Sequence, residues 1–168
     1  ILVHHLYTGL AGTAGEAGHM IVQPGGRSCP CGNHGCLEQY ISEPAVLSRY
    51  RELSGRTTVS IDDLVWAYNQ KETAALAVTD EFTTYLACGI NNLWNLFSPE
   101  CIILNCQLTA YLPQLLPEIL QKLSPRFRAT CHLKLSTLQD TGVLLGAAKV
   151  CISKYLGTEK LYFSGLQP

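Results

Sequence analysis

His19, Cys29, Cys31 and Cys36 fall within one eighteen-residue stretch of the run GEAGHMIVQPGGRSCPCGNHGCLEQY. One nitrogen donor and three sulfur donors supply the four ligands that a closed tetrahedral zinc site takes. Pro30 stiffens the Cys-Pro-Cys step. Gly25, Gly26, Gly32 and Gly35 let the backbone turn tightly enough to aim three thiolates inward. A helix is expected to begin near Leu37, and its positive end would favour thiolate over thiol at Cys36. The competing reading is that these are buried or disulfide-bonded cysteines. Zinc fingers and ribbons place their ligands as two separated pairs. The spacing here differs, which argues against a stand-alone nucleic-acid finger.

The chain has 168 residues, 47% of them hydrophobic and 15% charged. That composition suits one compact domain with a real core. The net charge is -1 and no lysine or arginine cluster stands out. Nothing therefore reads as a DNA- or membrane-binding surface by itself. No apolar run is long enough to span a bilayer, and no signal peptide is visible. The first residue is isoleucine and the only methionine is Met20. The chain thus reads as a piece of a longer protein whose N-terminal part holds some of the function. Cys88, Cys101, Cys106, Cys131 and Cys151 sit singly in apolar stretches, where free cysteine is expected to act as a small core residue. A reducing cytoplasm fits this usage best.

Along the chain, Ile1–Leu6 reads as the end of a strand or hairpin, and Gly9, Gly12 and Gly15 make a loop. Met20–Gln23 reads as a short strand. Leu37–Ser42 and Ala45–Leu53 read as helices interrupted at Pro44. Ser60 with Asp63 forms a capping-box pattern that opens a helix to about Tyr68. Glu72–Phe97 is the longest helical pattern, with Val78, Phe82, Tyr85, Leu86, Ile90, Leu93 and Phe97 at three- and four-residue steps. Tyr85 and Trp94 on it are types enriched at interfaces, so a homodimer built partly on this lobe is expected. Cys101–Asn105 reads as a short buried strand, Leu112–Leu123 as a helix, and Cys131–Thr137 as another strand. Gly142–Tyr155 reads as a final amphipathic helix and Leu161–Pro168 as a tail. Helices interleaved with short strands imply an α/β or α+β layer.

Gly15-Glu16-Ala17-Gly18-His19 resembles the Glu-x-Gly-His motif of the ROK family of repressors, open reading frames and sugar kinases. Cys29-Pro-Cys-Gly-Asn-His-Gly-Cys36-Leu-Glu38 resembles its Cys-x-Cys-Gly-x-x-Gly-Cys-x-Glu motif. The resemblance extends to Leu6–Gly9, to Leu96–Leu104 and to the glycine-alanine run Thr141–Ala148. It implies an α/β fold, the C-terminal lobe of an actin-like ATPase (ribonuclease H-like), with a zinc-binding loop. The N-terminal lobe and any helix-turn-helix would lie outside this chain. It implies a structural zinc on His19, Cys29, Cys31 and Cys36, and sugar contacts from Glu16, His19 and Glu38. Zinc on one nitrogen of His19 would leave the other free to donate to a hydroxyl, and the two carboxylates could accept from sugar hydroxyls. The other reading of Glu16 and Glu38 is that they hold helix ends or support the zinc ligands. His4, His5, His34 and His132 have no such context and receive no role. Asp62, Asp63, Asp80 and Asp140 read as caps and solvated faces, since the family's base comes from the N-terminal lobe.

One departure separates the branches of the family. ROK kinases usually carry Gly-Gly after the Ile-x-Leu strand, where bare backbone approaches the nucleotide. Here the place reads Leu104-Asn105-Cys106-Gln107-Leu108, so side chains stand where glycine would allow close approach. This resembles the repressor branch, that of the N-acetylglucosamine repressor and the related glucose repressor. The first expectation is the effector-binding and dimerisation lobe of a sugar-responsive repressor with no catalytic residue. Its effector would be a sugar or sugar phosphate, with a transport protein as a further partner. Operator DNA would be bound only through the missing part. The alternative is half of an ATP-dependent hexose or N-acetylhexosamine kinase. A third is a zinc-stabilised interaction module with no sugar.

Overall fold

The structure, a computed structural model, describes residues 7–138 and 141–157. The expected strand end at Ile1–Leu6, the tail at Leu161–Pro168, and His4, His5 and Asp140 lie outside them. Among the described residues the elements run α1 (Glu38–Ile41), α2 (Glu43–Ser54), α3 (Ile61–Asn69), α4 (Thr73–Phe97) and β1 (Cys101–Leu104). They continue with α5 (Gln107–Tyr111), α6 (Leu115–Lys122), α7 (Pro125–Thr130), β2 (His132–Leu135) and α8 (Thr141–Leu156). The fold is α/β. The chain divides into two units: Glu16–Leu135, and the residues on either side of it.

Within Glu16–Leu135, α4 is the organising element. Its 25 residues form one unbroken helix, about 38 Å long at ~1.5 Å per residue. Val78, Phe82, Leu86 and Ile90 of the expected stripe are buried. Helices α1, α2, α3 and α6 pack against it. Tyr50, Leu64, Leu115, Ile119 and Phe127 complete the core from those and later elements. The stripe ends before the helix does, because Leu93 is only half-buried and Phe97 is exposed. Buried Thr79, Thr83 and Thr109 donate their hydroxyls to carbonyls three or four residues back, at 2.9 to 3.0 Å. Arg56 ties α2 to the start of α4, donating to the hydroxyl of Tyr50 at 2.7 Å and to Glu72 at 3.0 Å.

Strands β1 and β2 pair in parallel, Cys101 opposite His132 and Leu104 opposite Leu135, with α5, α6 and α7 as the crossover. Several expectations are corrected. Met20–Gln23 is not a strand: it makes a single antiparallel bridge, Ile21 to Cys36. The 101–105 strand is not buried, because its residues alternate between exposed and half-buried. Leu112–Leu123 is not one helix: α5 ends at Tyr111 and α6 begins at Leu115. Leu112, at φ −120° and ψ 69°, has left the helical region, which a residue before proline avoids. Helix α7 was not expected; Ser124 caps it and Pro125 opens it. Of the five cysteines expected in the core, only Cys131 is buried, while Cys101 and Cys151 are exposed.

Tyr85 stacks on Tyr40 with centroids 3.9 Å apart, and Trp94 meets Phe127 edge-on at 5.9 Å. Each ring thus has a partner inside the chain, with Trp94 buried and Tyr85 half-buried. In the other unit, Leu10–Gly12 forms a 3-10 turn and α8 follows the expected range closely. Helix α8 has no buried residue. No described helix is long and apolar enough to cross a membrane.

The capping box at α3 is present in full. The Ser60 hydroxyl accepts from the Asp63 amide at 3.2 Å, and the Asp63 carboxylate accepts from the Ser60 amide at 2.8 Å. The Ser60 hydroxyl and amide hold the Asp63 carboxyl below its ordinary value. A carboxyl lowered on folding contributes stability above its unfolded pKa and loses it as pH falls. Ser60→Ala should therefore cost about 1 kcal/mol, measured by urea denaturation at neutral pH. The difference from the parent should shrink as pH falls through the acidic range; a constant difference would mean that Asp63 is not part of the cap.

Candidate metal centre and the carboxylates beside it

A 3-10 turn presents His19. The His19 amide donates to the Glu16 carbonyl at 3.0 Å, and the Met20 amide to Ala17 at 3.1 Å. The chain then doubles back on itself. Val22 donates to Gly35 at 2.9 Å and Leu37 to Met20 at 2.9 Å. Between these, Cys29 donates to the Asn33 carbonyl and Gly32 to the Cys29 carbonyl, each at 2.9 Å, which closes a tight turn around Cys31. Gly35 has φ +83°, and a Cβ there would run into the Gln23 carbonyl. Only glycine permits that approach.

The turn and the doubled loop bring His19, Cys29, Cys31 and Cys36 together, with one donor atom of each within 4.8 Å of the others. Cys29 Sγ lies 3.6 Å from His19 Nδ1, and Cys31 Sγ 3.6 Å from Cys36 Sγ. A tetrahedral zinc with Zn–S near 2.3 Å and Zn–N near 2.1 Å has edges of roughly 3.6 to 3.8 Å. All eight cysteines are free, so the disulfide reading of this cluster is set aside. Desolvation, followed by the neighbouring Cys29 and Cys31, pushes the Cys36 thiol up to about 12. The Cys31 thiol is lowered, first by the Asn33 backbone amide and then by Cys29. Three sulfurs this close resist shedding their protons together. A divalent cation removes that resistance, and the donor set and spacing fit one.

Glu16 and Glu38 flank the imidazole of His19. Nε2 lies 3.7 Å from the Glu16 carboxylate, and Nδ1, the nitrogen facing Cys29, lies 3.7 Å from Glu38. Glu38 stands in the first turn of α1, which starts two residues after Cys36. Both carboxylates and the imidazole edge reach solvent. All six residues singled out in the sequence therefore sit at one place. His34 bridges to Ser28 through its backbone, and His132 is an exposed residue of β2. Asp80 pairs with Lys122 at 2.5 Å.

The loop is fastened to α4 by residues that sequence reasoning did not find. Arg27 pairs with Glu81 and lies 4.6 Å over the Tyr40 ring. It also donates to the Gln39 carbonyl at 2.8 Å, and the Gln39 amide points at Cys29 Sγ, 3.6 Å away. Arg49 reaches the same Glu81 at 3.1 Å. Leu37 packs where Gly89 leaves room on α4. The signal for Arg27 was a lone cation inside the glycine loop, but its partner is 54 residues away.

Beside Glu38 and Gly18 opens a cavity of about 480 Å³. Its walls are mainly apolar, from Ile41, Val46, Phe82, Leu86 and Ile103. Asn105 and Cys106, between β1 and α5, also line it.

Comparison with known proteins places these features. The family model described as the ROK family matches residues 1–154. A xylose repressor of Bacillus spizizenii is 32% identical over 165 residues, covering 96% of this chain and 42% of the repressor. An N-acetyl-D-glucosamine kinase of Histophilus somni is 27% identical over 162 residues, covering 89% of this chain and 53% of the kinase. The crystal structure of a ROK family transcriptional regulator, a homologue of the E. coli MLC protein, superposes with a TM-score of 0.70. It is 28% identical and covers 91% of this chain and 42% of that one. The chain thus spans about half the length, or less, of the relatives it matches.

Proposed function

Because the chain belongs to the ROK family, we propose that it is the effector-binding part of a sugar-responsive transcriptional repressor. The fold would be the C-terminal lobe of an actin-like ATPase, and a structural zinc would be held by His19, Cys29, Cys31 and Cys36. The observation that carries this reading is the double role open to His19. Its imidazole sits among the three thiols and also between two solvent-reaching carboxylates 3.7 Å away. Bound zinc would supply fixed orientation of the imidazole and the loop. Glu16 and Glu38 would accept hydrogen bonds from sugar hydroxyls, and His19 would donate one. The similarity to a xylose repressor and to a regulator of the MLC type supports a repressor that responds to a sugar. Operator DNA would be gripped by a part of the protein outside this chain. A homodimer and a transport-protein partner belong to the same reading.

The second reading, an ATP-dependent sugar kinase, is favoured by the kinase among the relatives. Against it, Asn105-Cys106 follows β1 with side chains rather than bare backbone, and Cys106 is extended at φ −140°. Sugar should release the full-length protein from operator DNA in a mobility-shift titration, with no ATP consumed. Rapid ATP-dependent phosphorylation of the sugar would favour the kinase instead.

A further inference from the structure

We infer that Gln39 is a positioning residue of the metal centre: its side-chain amide donates to the Cys29 sulfur and tightens the hold on the metal, and Arg27, anchored on Glu81, keeps it there. This rests on the metal centre proposed above and deepens it by naming what steadies a ligand. Three thiolates outweigh a divalent ion by one negative charge. A thiolate in such a set gains from an N–H aimed at it, which answers the excess charge without competing for the ion. Two sulfurs of the cluster have such a donor. The Asn33 backbone amide serves Cys31. Gln39 Nε2 lies 3.6 Å from Cys29 Sγ, a span that suits an N–H donor to sulfur, which is larger than oxygen. Cys29 is buried and Gln39 half-buried. Water therefore competes less for this bond than it would at the surface.

Gln39 is held at both ends of its own backbone. Its amide donates at 3.0 Å to the carbonyl of Cys36, itself one of the four clustered donors. Its carbonyl accepts from Arg27 Nη1 at 2.8 Å. Arg27 is fixed in turn. Its backbone amide donates to the Tyr40 hydroxyl at 3.0 Å, and its guanidinium lies over the Tyr40 ring. Its other terminal nitrogen donates to Glu81 of α4. Tyr40 is buried and stacks on Tyr85 of the same helix. A planar guanidinium serves the Gln39 carbonyl and the Glu81 carboxylate at once. An ammonium on a flexible stem does not hold both in that geometry. A line of hydrogen bonds thus runs from Glu81 on the long helix, through Arg27 and Gln39, to a metal ligand. Arg49 of α2 meets the same Glu81 at 3.1 Å but lies off this line.

The test uses the full-length, zinc-loaded protein in competition with a chromogenic chelator, and the sulfur-to-metal charge-transfer band of its cobalt(II) form. Gln39→Leu removes the N–H and puts no donor in its place. Its zinc affinity should fall about tenfold or more, the scale on which the partners of metal ligands act. Its cobalt band should move to lower energy, because a thiolate that has lost its hydrogen bond gives up an electron more readily. Arg27→Lys should change both in the same direction by less. Arg49→Gln, which leaves Arg27 and Gln39 in place, should keep the parent's affinity. Weaker binding with an unmoved band in Gln39→Leu overturns the hydrogen bond to Cys29. Parent-like affinity and band in that variant overturn the inference and leave the metal centre standing. Arg49→Gln binding zinc as weakly as Arg27→Lys overturns the part given to Arg27, since loosened helices would then be the cause. A parent that holds no zinc overturns the metal centre and the inference with it.

Discussion

Cys31→Ala should strip the protein of its metal and of a large part of its thermal stability. Cys31 is exposed, so truncating it removes little core packing, and a mutation there would ordinarily be nearly neutral. Its Sγ nevertheless faces Cys36 at 3.6 Å within the four-donor cluster. In small zinc peptides the binding free energy, about 10 kcal/mol or more, is folding free energy. The loop spanning residues 20–37 is otherwise anchored by backbone bonds, by Arg27 on Glu81, Gln39 and Tyr40, and by Leu37 against Gly89. The large effect should thus come from metal loss alone. Elemental analysis should find one zinc per chain in the parent and none in the variant. Calorimetry should show the variant melting well below the parent, and chelator should lower the parent to the same point. A parent that carries no metal, or a variant that melts with it, would remove the structural-metal reading.

Local signals were the legible ones. The four-donor cluster is confined to eighteen residues, so spacing and glycine placement determine which atoms can meet. The capping box of Ser60 and Asp63 spans three residues and appears as expected. Helix α4 is legible because its stripe repeats over 25 residues. What failed depends on distant packing. Helices α5 and α7 have five and six residues, too few to show a period. They persist because Leu108 and Phe127 are buried in the core. Met20–Gln23 has a strand's composition, yet the loop it faces permits only one bridge. At the site, Glu16, His19 and Glu38 were named from motif, while the Arg27–Glu81 fastening and the apolar cavity arise only when α4 is laid against the loop.

Glu38→Gln should weaken sugar binding about tenfold or more while leaving the metal in place. The replacement is nearly isosteric and keeps an acceptor, so what it removes is charge. A hydrogen bond to a charged partner contributes roughly 1.5–3 kcal/mol, and each ~1.4 kcal/mol is tenfold in affinity. Glu38 lies 3.7 Å from His19 but is not one of the four clustered donors. Zinc content and the melting temperature should accordingly change little. The two measurements separate the roles open to this carboxylate. Sugar affinity lost with zinc retained places Glu38 against the sugar. Zinc lost along with affinity makes it a support for the His19 ligand instead. Affinity unchanged takes it out of the site, and the recognition of hydroxyls would then rest on Glu16 and the imidazole alone.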